Sequence, residues 1–99
     1  MISLKREEKR QYSSPDATVE VCYKIPDAAE GETVINNQWP DTRIFKQFVT
    51  DVRSPDIEGW ENGVKAEDVE KSRGTLSLIH AVAVDIVQSL RGNFVRKNS

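Results

Sequence analysis

Two residue types that commonly build chemical sites are almost missing, because the 99-residue chain has one cysteine, Cys22, and one histidine, His80. A lone cysteine cannot form an intramolecular disulfide, which in a chain this small favours the cytoplasm over secretion. One cysteine and one histidine also cannot complete a tetrahedral zinc site. We interpret both as structural residues, with His80 at the edge of the core. The sequence therefore predicts no enzyme, no metal site and no cofactor.

Long apolar runs and a surplus of basic residues are missing too. The longest apolar-rich stretch, residues 76–90, is interrupted by polar residues and is too short to span a bilayer. The first residues lack the continuous apolar segment of a signal peptide. A formal net charge of -2 provides no excess of Lys and Arg to neutralise phosphates. We therefore expect neither a nucleic acid nor a membrane as partner.

The length and composition are typical of one small domain, since 37% of the residues are hydrophobic and 30% are charged. We assign residues 1–92 to a single α+β domain. Residues 93–99 are interpreted as a flexible C-terminal tail. The helix before this tail is expected to end at Gly92.

Period-two alternation is the main strand signal. In residues 18–25, Val19, Val21, Tyr23 and Ile25 fall on one face and polar residues on the other. A weaker, charged alternation lies upstream, beginning with Ile2 and Leu4, and turn-forming residues 13–16 separate the two segments. The N-terminal part is therefore predicted to be a β-hairpin or a small antiparallel sheet.

Three to four helices are predicted to follow. A short one covers residues 28–35, weakened by Gly31. A second starts at an Asp41 N-cap, carries an apolar stripe from Ile44 to Val52 and ends at residues 54–55. A short acidic helix covers residues 66–70. The longest helix covers residues 75–91, and its main stripe consists of Leu76, Ile79, Ala83, Ile86, Val87 and Leu90.

The last helix is apolar over more of its circumference than one core contact requires, because Leu78, Val82 and Val84 widen the stripe. This surface and the stripe of the second helix either form the core together or provide an interface. The two tryptophans lie in loops, where each is either folded back or an anchor for a partner. The candidate partner-binding residues are Trp39, Phe45, Trp60, Leu78 and Val82.

Several strings occur in an order found in one known family. Ser14-Pro15-Asp16 precedes the alternating strand, Glu58-Gly59-Trp60-Glu61 lies in a polar loop after the middle helix, and Glu67-Asp68-Val69 precedes the long apolar helix. In these features the chain resembles the tail assembly chaperones of long-tailed, siphovirus-type bacteriophages and prophages. The resemblance covers most of the chain. It departs from the pattern at Lys65, where a capping residue is expected, and at Gly31.

The resemblance implies a chaperone that binds the tape-measure protein and helps recruit tail-tube subunits during tail assembly, in the cytoplasm of the bacterial host. Such proteins are often extended by ribosomal frameshifting, and Arg96-Lys97-Asn98 is compatible with a slippery codon run, although a basic tail is the simpler interpretation. Self-association is left open. The alternatives are another phage morphogenesis protein, such as a tail-completion or head–tail connector subunit, or a small regulatory protein-binding module.

Overall fold

The computed structural model describes residues 6–91. Within them the chain forms three strands and four helices, and the prediction of an α+β fold with the longest helix last is confirmed. The elements are β1 (Glu7–Ser13), β2 (Thr18–Lys24), α1 (Ala28–Asn36), α2 (Asp41–Phe48), β3 (Val49–Arg53), α3 (Ala66–Lys71) and α4 (Leu76–Arg91). Ile2, Leu4, Gly92 and residues 93–99, on which predictions were made, lie outside the described residues.

The predicted hairpin is confirmed as β1 and β2. The strands pair antiparallel from Glu7 opposite Lys24 to Ser13 opposite Thr18. Their turn is held by the Ser14 hydroxyl, which accepts the N–H of Ala17 at 3.1 Å. β1 forms one edge of the sheet, and most of its charged side chains are exposed. Charge on an outer strand discourages further strand pairing.

The alternation in β2 produces one buried face. Val19, Val21 and Tyr23 are buried, whereas Glu20 and Cys22 on the opposite face are only partly covered. Helix α4 covers the buried face. Two contacts join it to the sheet: the Tyr12 hydroxyl of β1 donates to the Asp85 carboxylate, and the Tyr23 hydroxyl lies 3.4 Å from Ser89 Oγ. The sheet is therefore covered by helix on one side.

The predicted second helix is wrong in its second half, since the chain changes from helix to strand at Val49. β3 pairs antiparallel with β2 as the other outer strand of the sheet. The register shifts at Cys22 and Tyr23, so that Tyr23 pairs with Val49 and Cys22 with Asp51. The extra residue, Thr50, lets both valines of β3, Val49 and Val52, face the core. A β-bulge thus reproduces the three-residue spacing that suggested a helix.

The N-terminus of α1 follows the capping rules, whereas that of α2 differs from the prediction. In α1, the Asp27 carboxylate accepts the Glu30 N–H at 2.8 Å, and the Glu30 carboxylate accepts the Asp27 N–H at 3.3 Å. This reciprocal pair is a capping box. The predicted Asp41 N-cap is wrong, because Pro40 is the N-cap of α2 and Asp41 is its first helical residue. Its carboxylate binds His80 instead.

The buried residues of α4 are Ile79, Val82, Ala83 and Ile86. They share one side of the helix and join the side chains of the sheet, α2 and α3 in one cluster. The predicted apolar surface of α4 is only partly buried, since Leu76 is 71% exposed and Val84 is 39% exposed. The side of α4 that packs in the core is thus narrower than the apolar surface of the helix.

The irregular segment after β3 is anchored to the sheet by hydrogen bonds. Ser54 is fully buried, and its hydroxyl donates to the Thr18 carbonyl at 2.7 Å. Val52 and Val64 exchange both backbone hydrogen bonds, which returns the loop to β3. Between them Trp60 packs into the core with 7% of its surface exposed. The loop is therefore part of the domain core.

Replacing Phe45 by alanine tests whether this residue belongs to the core. Its side chain is completely buried, so Phe45→Ala is expected to lower the free energy of unfolding by about 3–5 kcal/mol. Urea denaturation followed by circular dichroism measures the loss. The adjacent exposed position provides the control, because Lys46→Ala is expected to change stability by no more than about 0.5 kcal/mol. A loss below about 1 kcal/mol for Phe45→Ala would contradict the packing.

Candidate functional site

Three of the five candidate partner-binding residues lie inside the folded domain. Phe45 and Val82 are fully buried, and Trp60 is 7% exposed. Each packs in the core cluster with the strands and the other helices. In the folded monomer these side chains present almost no surface to a partner.

The other two candidates are half-buried. Trp39 stacks on Phe48 with 6.3 Å between ring centroids, and the Arg43 guanidinium lies 4.0 Å from the centroid of the Trp39 ring. The indole is thus covered by an aromatic ring and a cation, an arrangement that stabilises it locally. Leu78 packs against the edge of the core. Both residues retain some exposed surface.

Across residues 6–91, no group of three or more His, Cys, Asp and Glu side chains is placed to hold a metal ion. His80 was expected at the edge of the core, but it is exposed, with its Nδ1 2.6 Å from the Asp41 carboxylate. Burial raises the pKa of the Cys22 thiol, which keeps it protonated and a poor nucleophile.

An open groove lies between α1 and the C-terminal end of α4. It is lined by Ala28, Gly31, Glu32, Ile35 and Asn36 of α1 and by Leu90 and Arg91 of α4, and we call it the α1–α4 groove. Its volume is about 340 Å³. Ligand pockets in proteins range from about 300 to 1,000 Å³. The groove is therefore large enough for one or two side chains of a partner.

Gly31 explains how α1 and α4 approach closely at this groove. A Cβ atom at this position would lie 3.2 Å from Leu90 Cβ and 3.3 Å from Leu90 Cδ1. Glycine weakens a helix by about 1 kcal/mol relative to alanine, so its presence in α1 has a packing reason. The base of the groove is thus formed by backbone and by Leu90.

One large apolar side chain of the groove is exposed. Ile35 lines the groove with 42% of its surface accessible. Leu90 of α4 also lines it but is half-buried. Val84 is exposed as well, but it precedes Leu90 by six residues and therefore lies about 120° away around the helix. It is a separate exposed position.

The groove is lined by charges of both signs. Glu32 of α1 and Arg91 of α4 line it. The other acidic residues of α1 and its cap, Asp27 and Glu30, line a different cleft. The described residues that line the groove therefore carry no net charge.

A second cleft, of about 470 Å³, lies where the hairpin meets α1 and α2. Charges of both signs line it, among them Arg6, Glu7, Lys24 and Asp27. This mixture selects no particular ligand. Separately, no helix among residues 6–91 is both long and apolar enough to cross a membrane.

The hydrogen bond between Tyr12 and Asp85 fixes α4 on the sheet. The Tyr12 hydroxyl lies 2.5 Å from Asp85 Oδ2, and Arg10 Nη1 lies 4.0 Å from the same oxygen. Burial, followed by the hydrogen bond to the carboxylate, raises the pKa of Tyr12 above its ordinary value of 10.0. The neutral phenol is therefore the form that the folded state favours.

Sequence reasoning did not select Ile35 as a candidate. A signal was present, because Val34 and Ile35 are adjacent in a short helix that has only one buried side, and one of them has to lie on its flank. The position of α1 beside the end of α4 could not be read from the sequence pattern.

Comparisons of the chain with protein-family models, with curated proteins and with solved structures gave no match. The resemblance to tail assembly chaperones consequently depends only on the residues quoted for it.

Replacing Tyr12 by phenylalanine tests the contact between α4 and the sheet. The loss of the hydrogen bond to a carboxylate is expected to lower the free energy of unfolding by about 1–2 kcal/mol at pH 7. In the wild type, the unfolded tyrosine releases its proton near pH 10 while the folded one retains it. Stability should therefore fall as the pH rises above about 10.

Urea denaturation at pH 7, 10 and 11 measures both effects. The stability difference between wild type and Tyr12→Phe should shrink as the pH rises, whereas that between wild type and Ser13→Ala, an exposed neighbour, should stay constant. A wild type and a Tyr12→Phe variant with parallel pH profiles would show that this phenol titrates as it does in the unfolded chain.

Proposed function

We propose that the protein is a non-catalytic module that binds a helical segment of another protein, and that its particular role is that of a phage tail assembly chaperone. In this role it would bind the tape-measure protein in the cytoplasm of the bacterial host, and bring tail-tube subunits to it through a frameshifted extension. The proposal of this particular role follows from the resemblance in the order of elements and in the quoted strings.

The observation that supports a binding module is an apolar surface that the monomer core does not use. Sixteen hydrophobic residues are buried in the core, and no buried side-chain nitrogen or oxygen atom within residues 6–91 lacks a hydrogen-bond partner. Ile35 and Val84 remain exposed beside this core. Single exposed apolar residues are common on protein surfaces. Here, however, Ile35 lines a groove together with Leu90 of α4.

A helical client suits this surface. Amphipathic helices are commonly bound by placing their apolar side chains, three or four residues apart, in a groove between helices. A long helical protein exposes many such segments before it assembles. Covering them one at a time with a small domain would prevent their aggregation, which is the task of a chaperone.

Co-expression with the long, helix-rich protein encoded by the next gene downstream tests this function. The two proteins are expected to co-purify, and the client is expected to stay soluble only when both are present. Isothermal titration calorimetry should give a dissociation constant in the micromolar range or below. An unrelated helix-rich protein of similar length serves as the control and should not co-purify.

Two results would count against the proposal. One is the absence of binding to the tape-measure protein at micromolar concentrations. The other is a fixed number of copies in purified phage particles, because a chaperone is released whereas a structural subunit is retained.

A further inference from the structure

We infer that Asn62 is a site of spontaneous modification, where the side-chain amide is converted to aspartate or isoaspartate through a cyclic imide formed with the backbone nitrogen of Gly63. The inference goes beyond the proposed function and does not rest on it, because the reaction needs only this chain and water. It identifies the residue that is modified, the contact that controls the rate, and the part of the fold that the product disrupts.

The reaction joins the Asn62 side chain to the next peptide nitrogen. Gly63 N loses its proton to water or hydroxide and bonds to Asn62 Cγ, while the Cγ–Nδ2 bond breaks and Nδ2 takes a proton from water and leaves as ammonia. Water then opens the five-membered ring. Breaking the bond between Gly63 N and Cγ gives aspartate. Breaking the bond between Gly63 N and the backbone carbonyl carbon gives isoaspartate, in which the chain runs through Cγ.

The fold requires the glycine that permits this attack. Gly63 has a φ of +96°, in the region that L side chains disfavour. A Cβ atom there would lie 2.6 Å from Asp51 Oδ1, and the Asp51 carboxylate is held by a 2.7 Å hydrogen bond from Arg53 Nε. Any other residue would also shield its own backbone nitrogen with a side chain. The structure therefore places the least hindered nucleophile directly after Asn62.

The Asn62 side chain is free to adopt the reactive geometry. It is exposed, and it makes no hydrogen bond to any other residue within the range 6–91. Asparagine is among the thermolabile residues of proteins. An exposed asparagine followed by glycine is the combination in which this lability is greatest, because nothing obstructs ring closure.

Asn36 and Asn37 provide internal controls. Both are exposed, and the backbone nitrogen that follows each of them donates to a carbonyl, at 3.1 and 3.2 Å. They differ from Asn62 in that this nitrogen belongs to a residue with a side chain, Asn37 or Gln38. A faster reaction at Asn62 would consequently report the glycine and not exposure.

One backbone hydrogen bond controls the rate in the folded protein. Gly63 N–H donates to the Trp60 carbonyl at 3.1 Å, and a nitrogen whose proton is held in this way is a poor nucleophile. The next residue, Val64, is fixed to Val52 through both of its backbone groups. Asn62 therefore reacts when this turn opens locally, and folding slows the reaction.

Isoaspartate lengthens the main chain by one methylene group between two anchored residues. On one side Trp60 is buried in the core, and on the other Val64 exchanges two hydrogen bonds with Val52. The added carbon changes the distance between these anchors, so that both cannot be kept. Protein that has formed isoaspartate is therefore expected to lose part of the packing that this loop provides.

Incubation of the full chain at pH 7.4 and 37 °C, with peptide mapping by mass spectrometry at intervals, measures the reaction at each asparagine. Conversion of Asn62 is expected to be at least about 10-fold faster than that of Asn36 or Asn37. Asn62→Gln is the matched variant, because its longer side chain has to close a less favourable six-membered ring and should stay intact. Equal rates at Asn62 and at the two control asparagines would overturn the inference.

The same incubation in urea, at a concentration that unfolds the chain, tests the control by the fold. Asn62 should react at least about 10-fold faster in the unfolded chain, because the bond from Gly63 to Trp60 is lost. Hydrogen exchange of the Gly63 amide in the folded protein should be slowed by the same turn. Equal rates of Asn62 conversion in the two states would overturn the assignment of this bond as the controlling contact.

A Trp39→Phe background leaves Trp60 as the single tryptophan, so that its fluorescence reports on the loop. Isoaspartate-containing protein, separated by ion exchange after incubation, should emit at longer wavelength and unfold at lower urea concentration than fresh protein. A fresh Asn62→Asp variant carries the added charge without the extra methylene group and should match the unmodified protein. The same changes in that variant, or no change in the isoaspartate-containing protein, would overturn the inferred effect on the fold.

Discussion

Burial of one face of β2 under α4 is the constraint on which the rest of the structure depends. A three-stranded sheet has to cover at least one face to be stable. The two outer strands cannot bury the valines of β2, because they lie beside β2 and not over its face. Helix α4 provides this cover, and the bonds from Tyr12 and Tyr23 to α4 hold it in place. α2, α3 and the loop with Trp60 then close the remaining sides of the same core.

This arrangement explains why some elements could be predicted and one could not. The alternation of β2 and the long apolar stripe of α4 both follow from burial on one side, which leaves a periodic pattern in the sequence. β3 was missed because its bulge at Thr50 places Val49 and Val52 on the same face. Their spacing of three residues is then indistinguishable from one helical turn that continues α2.

The candidate site illustrates a second limit. The sequence identified apolar residues in α2 and α4 but not which of them the sheet would bury, so Phe45 and Val82 were grouped with Leu78. Burial depends on how the elements cross, and the crossing of α1 over the end of α4 is set by the contact of Gly31 with Leu90. From the sequence alone, this glycine predicts only a less stable helix. Ile35 and Glu32 line a groove only because α1 and α4 approach closely at Gly31.

The charged outer strand has a consequence for how the domain can associate. Two copies of β1 that extend the sheet about a two-fold axis place one residue opposite itself. In the register centred on Arg10, that pair carries charges of the same sign, which is unfavourable for directly opposed side chains. The flanking pairs in this register, Lys9 with Gln11 and Glu8 with Tyr12, do not offset the repulsion. Registers centred on Glu8 or Lys9 add flanking pairs of opposite charge. The charges of β1 therefore limit the registers in which two copies can join through this edge.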